Sequence, residues 1–233
     1  MRNWIFVLFC WGSCYGDAFD VASRFVPSDA VIIDCGAHDG SDTYKMAKFW
    51  PQGKIYAFEC RHDVYEQLRT RVAGLQNVQT FEIALGEMTG FADFFLSAKK
   101  NPRDENPFDA QSSLLPPTDQ FVWSDVIEFC DVVKVPIITL DDWANMTGVK
   151  KVDFLYLDMQ GAECQMLRAS PRILSTVKVI YTEYSELEFY KGTVLLEEYK
   201  SWLESLGFSM ICKEQTCHTH HGNVVFVRKE LLK

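Results

Sequence analysis

The stretch Val31-Ile32-Ile33-Asp34-Cys35-Gly36-Ala37-His38-Asp39-Gly40-Ser41 decides the reading of this chain. It begins as a short apolar run, the signature of a buried parallel strand whose two faces are both covered. Two glycines then lead into Ser41-Asp42-Thr43-Tyr44-Lys45-Met46-Ala47-Lys48-Phe49, which has helical spacing and capping residues at its start. A strand, a glycine-bearing turn and a helix N-terminus form the ligand-binding end of a doubly wound α/β sheet. The spacing Gly36-x-x-x-Gly40 departs from the G-x-G-x-x-G of dinucleotide sites and lacks the Gly-Lys-Ser/Thr of a phosphate loop. Asp34 at the strand end would repel a pyrophosphate. An acidic, glycine-bearing turn suits a cationic or zwitterionic ligand such as S-adenosylmethionine, whose amino and sulfonium groups are positive. The alternative is a tight turn with no ligand.

Working outward, 233 residues predict one domain, large enough to bury a full core. The formal charge of −9 argues against a nucleic-acid groove, and no Lys/Arg block offsets it, so the expected partner is a small molecule or glycan. Residues 1–16 carry one arginine ahead of the apolar run Trp4 to Gly16, too short to span a bilayer comfortably and of signal-peptide length. It reads as a signal peptide or an N-terminal membrane anchor, or else as a buried helix, with residues 17–233 the folded domain. Eight cysteines without a regular framework read instead as reduced thiols of a cytoplasmic protein, and Asn145-Met146-Thr147 is a glycosylation sequon only in a secretory compartment.

Along the chain, residues 17–26 predict a short helix, and Lys54 to Glu59 a second strand ending in an acid. Asp63 with Glu66 predicts a capping box for a helix with Tyr65, Leu68, Val72 and Leu75 on one face. Val78 to Leu85 reads as a third strand, and Gly90 to Leu96 as an antiparallel addition. The span 97–131, with four prolines, reads as a lid or substrate loop whose site-facing part is Gln111 to Leu114. Strands follow at Val132–Leu140, Val152–Asp158 and Val177–Tyr184, and helices at Asp141, at Gly161–Arg168 and at Val194–Leu206. Phe208–Cys212 and Val224–Arg228 close the chain as a hairpin. The whole predicts a three-layer, doubly wound Rossmann-like α/β sandwich, mostly parallel with an antiparallel end.

Four features then converge beyond the carboxyl ends of the strands: the Gly36–Gly40 turn, Glu59 where an acid takes ribose hydroxyls, Ala84-Leu85 flanking adenine, and Asp158 near the reacting end of the ligand. Each acid alone would be an ordinary solvated carboxylate. Cys212, Cys217, His218, His220 and His221 lie within ten residues but match no regular zinc spacing, so a solvated turn without metal is expected. Tyr181, Tyr184, Phe189 and Tyr190 line either an acceptor pocket or the core.

These blocks, with Thr139-Leu140-Asp141-Asp142-Trp143 and above all Asp153-Phe154-Leu155-Tyr156-Leu157-Asp158-Met159-Gln160-Gly161-Ala162-Glu163, resemble the FkbM family of S-adenosylmethionine-dependent methyltransferases. The resemblance covers about Val31 to Arg228. It implies methyl transfer, usually to a hydroxyl oxygen of a sugar, polyketide or other small molecule. Asp34, Gly36, His38 and Gly40 would hold the methionine end, Glu59 the ribose, and Ala84 and Leu85 the adenine region. His38, Cys35, Cys60-Arg61, Tyr156 and Gln160 depart from the family's usual residues, which bears on the acceptor. A hydroxyl acceptor needs a base, for which Asp158 comes first, then Glu183, with His38 as a further candidate. The rival reading is a binding or interaction protein that kept the fold and lost catalysis, perhaps an exported one.

Overall fold

The computed structural model describes residues 18–101, 109–119, 125–215 and 220–232. The signal-like or anchoring segment 1–16 lies outside them, as do Cys217 and His218. Among the described residues no helix is long and apolar enough to cross a membrane. The strands are β1 (Val31–Cys35), β2 (Lys54–Phe58), β3 (Val78–Phe81), β4 (Ala84–Leu85), β5 (Gly90–Lys99), β6 (Ile127–Ile138), β7 (Phe154–Leu157), β8 (Val179–Ser185), β9 (Phe208–Gln215) and β10 (His221–Arg228). The helices are α1 (Ala18–Ala22), α2 (Ser41–Phe49), α3 (His62–Arg71), α4 (Leu140–Thr147), α5 (Glu163–Arg168), α6 (Pro171–Leu174) and α7 (Leu196–Ser205).

Seven strands form the main sheet in the order β3-β2-β1-β7-β8-β10-β9. The pairings from β3 to β8 are parallel, and β10 runs antiparallel to both β8 and β9. The order reverses at β1, between β2 and β7, which makes the carboxyl end of β1 the switch point where such sheets bind ligands. Alternation across β1 assigns the layers. Ile32 packs with Phe19 of α1 and with Met46 and Ala47 of α2. Ile33 packs with Trp143 of α4, Met166 of α5, Ile173 of α6 and Leu203 of α7. The helices thus cover both faces, as the continuous apolar run of β1 requires. Arg228 at the end of β10 closes the far corner. Its guanidinium donates to the carbonyls of Val177, Leu206 and Leu174 at 2.6–2.8 Å and lies over the Phe208 ring.

Three expectations are corrected. The third strand is two strands: β3 pairs with β2, and after Glu82 and Ile83 the chain leaves the main sheet. Ala84 and Leu85 find their ladder partners in Ile137 and Ile138 of β6 instead. The addition at Gly90 is accordingly not part of the main sheet, because β5, β6 and β4 form a separate three-stranded sheet in the order β4-β6-β5 with its own core of Ala84, Phe94, Val135 and Ile137. The capping box does not form. Arg61 is the N-cap of α3, its guanidinium takes the Asp63 carboxylate at 2.8 and 3.1 Å, and Glu66 is held by Arg69.

Strand pairing also narrows the loop 97–131, since Ser97–Lys99 belongs to β5 and Ile127–Asp131 to β6. Cys35, Cys60, Cys130 and Cys164 are free thiols, but Cys212 is disulfide-bonded, so the reduced-thiol reading does not extend to β9. No group of three or more His, Cys, Asp or Glu suited to a metal ion occurs among the described residues.

Candidate active site

Gly36 follows β1 with φ +75°, a left-handed conformation that costs an L side chain energy. A Cβ there would also collide with the backbone carbonyl of Asp158, so the turn can pass under the end of β7 only as glycine. Gly40, with φ +80°, starts α2 over Leu68 of α3. Between them His38 holds φ +47°, and beyond β7 Gln160 holds φ +53°. These are the non-glycine residues with positive φ among those described, and both line the same cavity. Such backbone costs of about 1–3 kcal/mol persist where surrounding contacts fix them, typically at functional sites.

The cavity is a cleft partly open to solvent. Its floor is Cys35, Gly36, His38, Glu59 and Asp158 at the carboxyl ends of β1, β2 and β7. One wall is apolar, with Ile83, Ala84, Leu85, Phe94 and Leu114, most of it supplied by the small sheet. The Glu59 carboxylate accepts the backbone N–H of His38 at 3.1 Å through one oxygen and that of Arg61 at 2.7 Å through the other. The carboxylate keeps acceptor capacity for a further donor, such as a ribose hydroxyl. Burial pushes the Glu59 pKa up, and the hydrogen bonds from Arg61 and His38 and the His38 charge oppose that rise.

The segment 109–119 closes the cavity from above. Asp109 pairs with His38 Nε2 at 3.0 Å, which raises the His38 pKa and lowers that of Asp109. Arg61 donates to the carbonyl of Ser97 at 3.2 Å, while the Ser112 hydroxyl accepts from the backbone N–H of Ser97. Ser113 bridges to Phe95 of β5 and donates its hydroxyl to the carbonyl of Gln160 at 2.8 Å, which helps hold Gln160 in its unusual backbone state.

Not every expected residue lies on the wall. Asp34 and Gly40 are not among the lining residues. Asp34 is 1% exposed, accepts the Thr43 hydroxyl at 2.5 Å, and burial pushes its pKa up to about 7. Glu183, on β8, lines a second, smaller cavity rather than the first. Gln160 lines both. Its amide nitrogen donates to Asp158 Oδ1 at 2.7 Å and to Glu183 Oε2 at 2.8 Å, and its amide oxygen faces the Tyr190 hydroxyl at 3.1 Å. Asp158 is solvent-exposed within the cleft although protein surrounds it, and burial raises its pKa. Glu183 is raised further, by burial and then by the Asp158 charge.

The second cavity is lined by Phe189, Tyr190, Tyr184, Thr193, Glu163 and Glu183 among others, with no lysine or arginine. The Thr193 hydroxyl there is buried and has no hydrogen-bond partner among the described residues. Sequence reasoning placed Glu59, Ala84, Leu85, His38, Gly36 and Asp158 around one cavity and marked Gln160 only as a departure from the family's usual residue, but gave no role to Asp109 or Thr193. A further signal for Gln160 is its place directly before Gly161 in the turn after a buried strand.

The cavity fits S-adenosylmethionine on its own chemistry. A buried carboxylate with free lone pairs suits the ribose, an apolar wall suits a purine, and acids near Gly36 suit the cationic end. Comparison with known proteins agrees. The family model described as the methyltransferase FkbM domain matches residues 34–210. The 2-O-methyltransferase NoeI of Sinorhizobium fredii (strain NBRC 101917 / NGR234) is 28% identical over 176 residues, which are 76% of this chain and 72% of that protein. The crystal structure of methyltransferase FkbM from Methylobacillus flagellatus KT aligns with a TM-score of 0.54 at 12% identity, covering 86% of this chain and 44% of that one. The Methanococcus jannaschii fibrillarin pre-rRNA processing protein aligns with a TM-score of 0.53 at 15% identity, covering 88% and 70%. At these identities the two structures speak for the fold alone.

Proposed function

The chain belongs to the FkbM family of S-adenosylmethionine-dependent methyltransferases, and from that premise we propose that it methylates a hydroxyl oxygen on an uncharged small molecule or glycan. The observation that carries this reading is the position of Asp158. Its carboxyl lines the cofactor cavity and is tied through Gln160 to Glu183 in the adjoining cavity, so a base stands where the two spaces meet. The name of NoeI supports oxygen as the acceptor atom. The second cavity supports an uncharged acceptor. Its wall has no lysine or arginine to pair with phosphate or carboxylate, while Phe189, Tyr190 and the unpartnered Thr193 hydroxyl suit a polyhydroxylated ring.

Bound S-adenosylmethionine supplies a methyl group on a sulfonium sulfur, already activated for in-line displacement. Glu59 would hold the ribose, and Ala84, Leu85, Ile83 and Phe94 would flank the base. His38, whose pKa Asp109 raises, would face the methionine carboxylate, and Asp34 acts from behind the turn by fixing α2 through Thr43. Asp158 orients the acceptor hydroxyl and takes its proton as the new C–O bond forms, and the segment 109–119 excludes water. Calorimetric titration with S-adenosylmethionine and S-adenosylhomocysteine tests the cofactor site, with loss of affinity expected in Glu59→Ala. A labelled-methyl screen of neutral glycans and polyols tests the acceptor class. Asp158→Asn should retain the cofactor and lose transfer by about 10²–10⁴-fold, the usual worth of a general base. Retained transfer in that variant would remove Asp158 from the role. Labelling of phosphorylated acceptors in preference to neutral ones would remove the acceptor class.

A further inference from the structure

The carboxyls of Asp158, just past the end of β7, and Glu183, within β8, come one step beyond the parallel register pair Leu157 and Thr182. One amide spans them, because Gln160 directs an N–H to each. The same nitrogen lies 2.7 Å from an Asp158 oxygen and 2.8 Å from a Glu183 oxygen, so the two carboxyls are close neighbours. Like charges held this near each other disfavour ionisation of both groups at once, which favours one proton on the pair.

The groups that face the pair do little to neutralise a second negative charge. Asp34 from β1, Asp42 from α2, Glu163 from α5 and Asp158 itself add like charge. Tyr181 and Tyr190 are neutral phenols held so by burial, and across β10 the register partner of Glu183 is Asn223. The cation that reaches Asp158 is His38, which is shared with Asp109. The surrounding protein raises the pKa of both carboxyls, Glu183 the more strongly, although Asp158 meets solvent in the cleft and Glu183 is half-buried.

We propose that the Asp158–Glu183 pair holds one proton in the cofactor-free protein and releases it to solvent when a sulfonium cation enters the cavity, so that the base is readied only when the methyl donor is present. The inference rests on the methyltransferase reading above. Charge and protons balance through the cycle. On binding, the carboxyl O–H bond breaks, its proton goes to bulk water, and the pair passes from one negative charge to two beside one new positive charge. On transfer, the acceptor O–H proton is retained by the pair as the sulfonium becomes a neutral thioether. The pair therefore regains its resting state as the positive charge disappears.

S-adenosylmethionine and S-adenosylhomocysteine share every ionisable group and differ in the methyl and its charge, so the ratio of their dissociation constants isolates the effect. Titration of the full chain between about pH 5.5 and 8.5 should show S-adenosylmethionine favoured increasingly as pH rises, approaching about tenfold per pH unit before levelling. Calorimetry in buffers of different ionisation enthalpy should show up to about one more proton released with S-adenosylmethionine than with S-adenosylhomocysteine. Glu183→Gln should flatten the ratio. His38→Gln should keep the slope, which separates the pair from imidazolium titration. Tight binding with a pH-independent ratio in the wild-type protein overturns the inference while the methyltransferase reading stands, and so does a slope that survives in both Glu183→Gln and Asp158→Asn. Failure to bind S-adenosylmethionine at all removes that reading and the inference with it.

Discussion

Replacing Asp34 by Asn should stabilise the protein at alkaline pH, by an amount that fades as the medium is acidified. Asp34 is 1% exposed at the end of β1, its carboxyl accepts the Thr43 hydroxyl, and Asp42, Asp158 and Glu59 add like charge. Burial is the largest cause that lifts its pKa from 3.8 to about 7. The folded state therefore binds the proton more tightly than the unfolded chain. Its contribution is most favourable below the unfolded pKa and is lost as pH rises through about 7. From that difference the penalty is roughly 4 kcal/mol at pH 8 and under about 2 kcal/mol at pH 5, an order-of-magnitude conversion at about 1.4 kcal/mol per unit. Asn keeps an acceptor for Thr43 but brings an amide N–H that needs a partner, at a pH-independent cost of about 1–3 kcal/mol. That cost cancels when the two pH values are compared. The stability advantage of Asp34→Asn over wild type should shrink by roughly 3 kcal/mol between pH 8 and pH 5, or roughly 6–12 °C in melting temperature for a domain of this size. Parallel melts of the two proteins across that range provide the assay. A constant gap would mean that Asp34 titrates as an ordinary carboxylate, and the account of the buried strand end would be wrong.

Other substitutions probe neighbouring parts of the site. Gly36→Ala should cost several kcal/mol in stability, about 1–2 from the positive φ and more from the collision with the Asp158 carbonyl, and cofactor binding should fall with it. An alanine variant with wild-type melting and affinity would contradict the close approach of the two strand ends. His38→Gln should speed amide hydrogen exchange across 109–115 at neutral pH, since Asp109 then loses its charged partner. In the wild type the same protection should weaken as pH rises through the raised His38 pKa, because the pair is complete only while the imidazole is protonated. Arg228→Ala should destabilise by about 2–4 kcal/mol, as three backbone carbonyls lose their shared donor. Chemical denaturation measures that loss, and a change below about 0.5 kcal/mol would show that water replaces the guanidinium.

Much of this arrangement was legible from local pattern. The run Val31 to Cys35 had to be a covered parallel strand, and Gly36 had to belong to the turn from that strand into a helix, because each follows from the chain's immediate chemistry. Glu59 and Asp158 followed from the rule that such sheets bind ligands beyond their strand ends. What the pattern concealed depends on partners distant in sequence. The split at Glu82-Ile83 is decided by β6, some fifty residues later. The capping box failed because Arg61, two residues before Asp63, claims the carboxylate that would have capped α3. Gln160 acquires its importance only when β8 brings Glu183 alongside Asp158, and Asp109 only when the segment 109–119 folds back over His38. No spacing along one segment encodes such meetings.

The small sheet has a consequence for exchanging parts between relatives. Residues 84–138 hold both the surface against which the adenine base would rest and the segment that covers the cavity, fastened together through β5 and its bridge at Ser113. Transplanting this segment to alter acceptor preference would therefore carry the cofactor's own wall with it. Chimeras cut at its borders should change donor affinity and acceptor choice together, whereas exchanges confined to the loop after β8, which holds Phe189, Tyr190 and Thr193, should change acceptor choice alone.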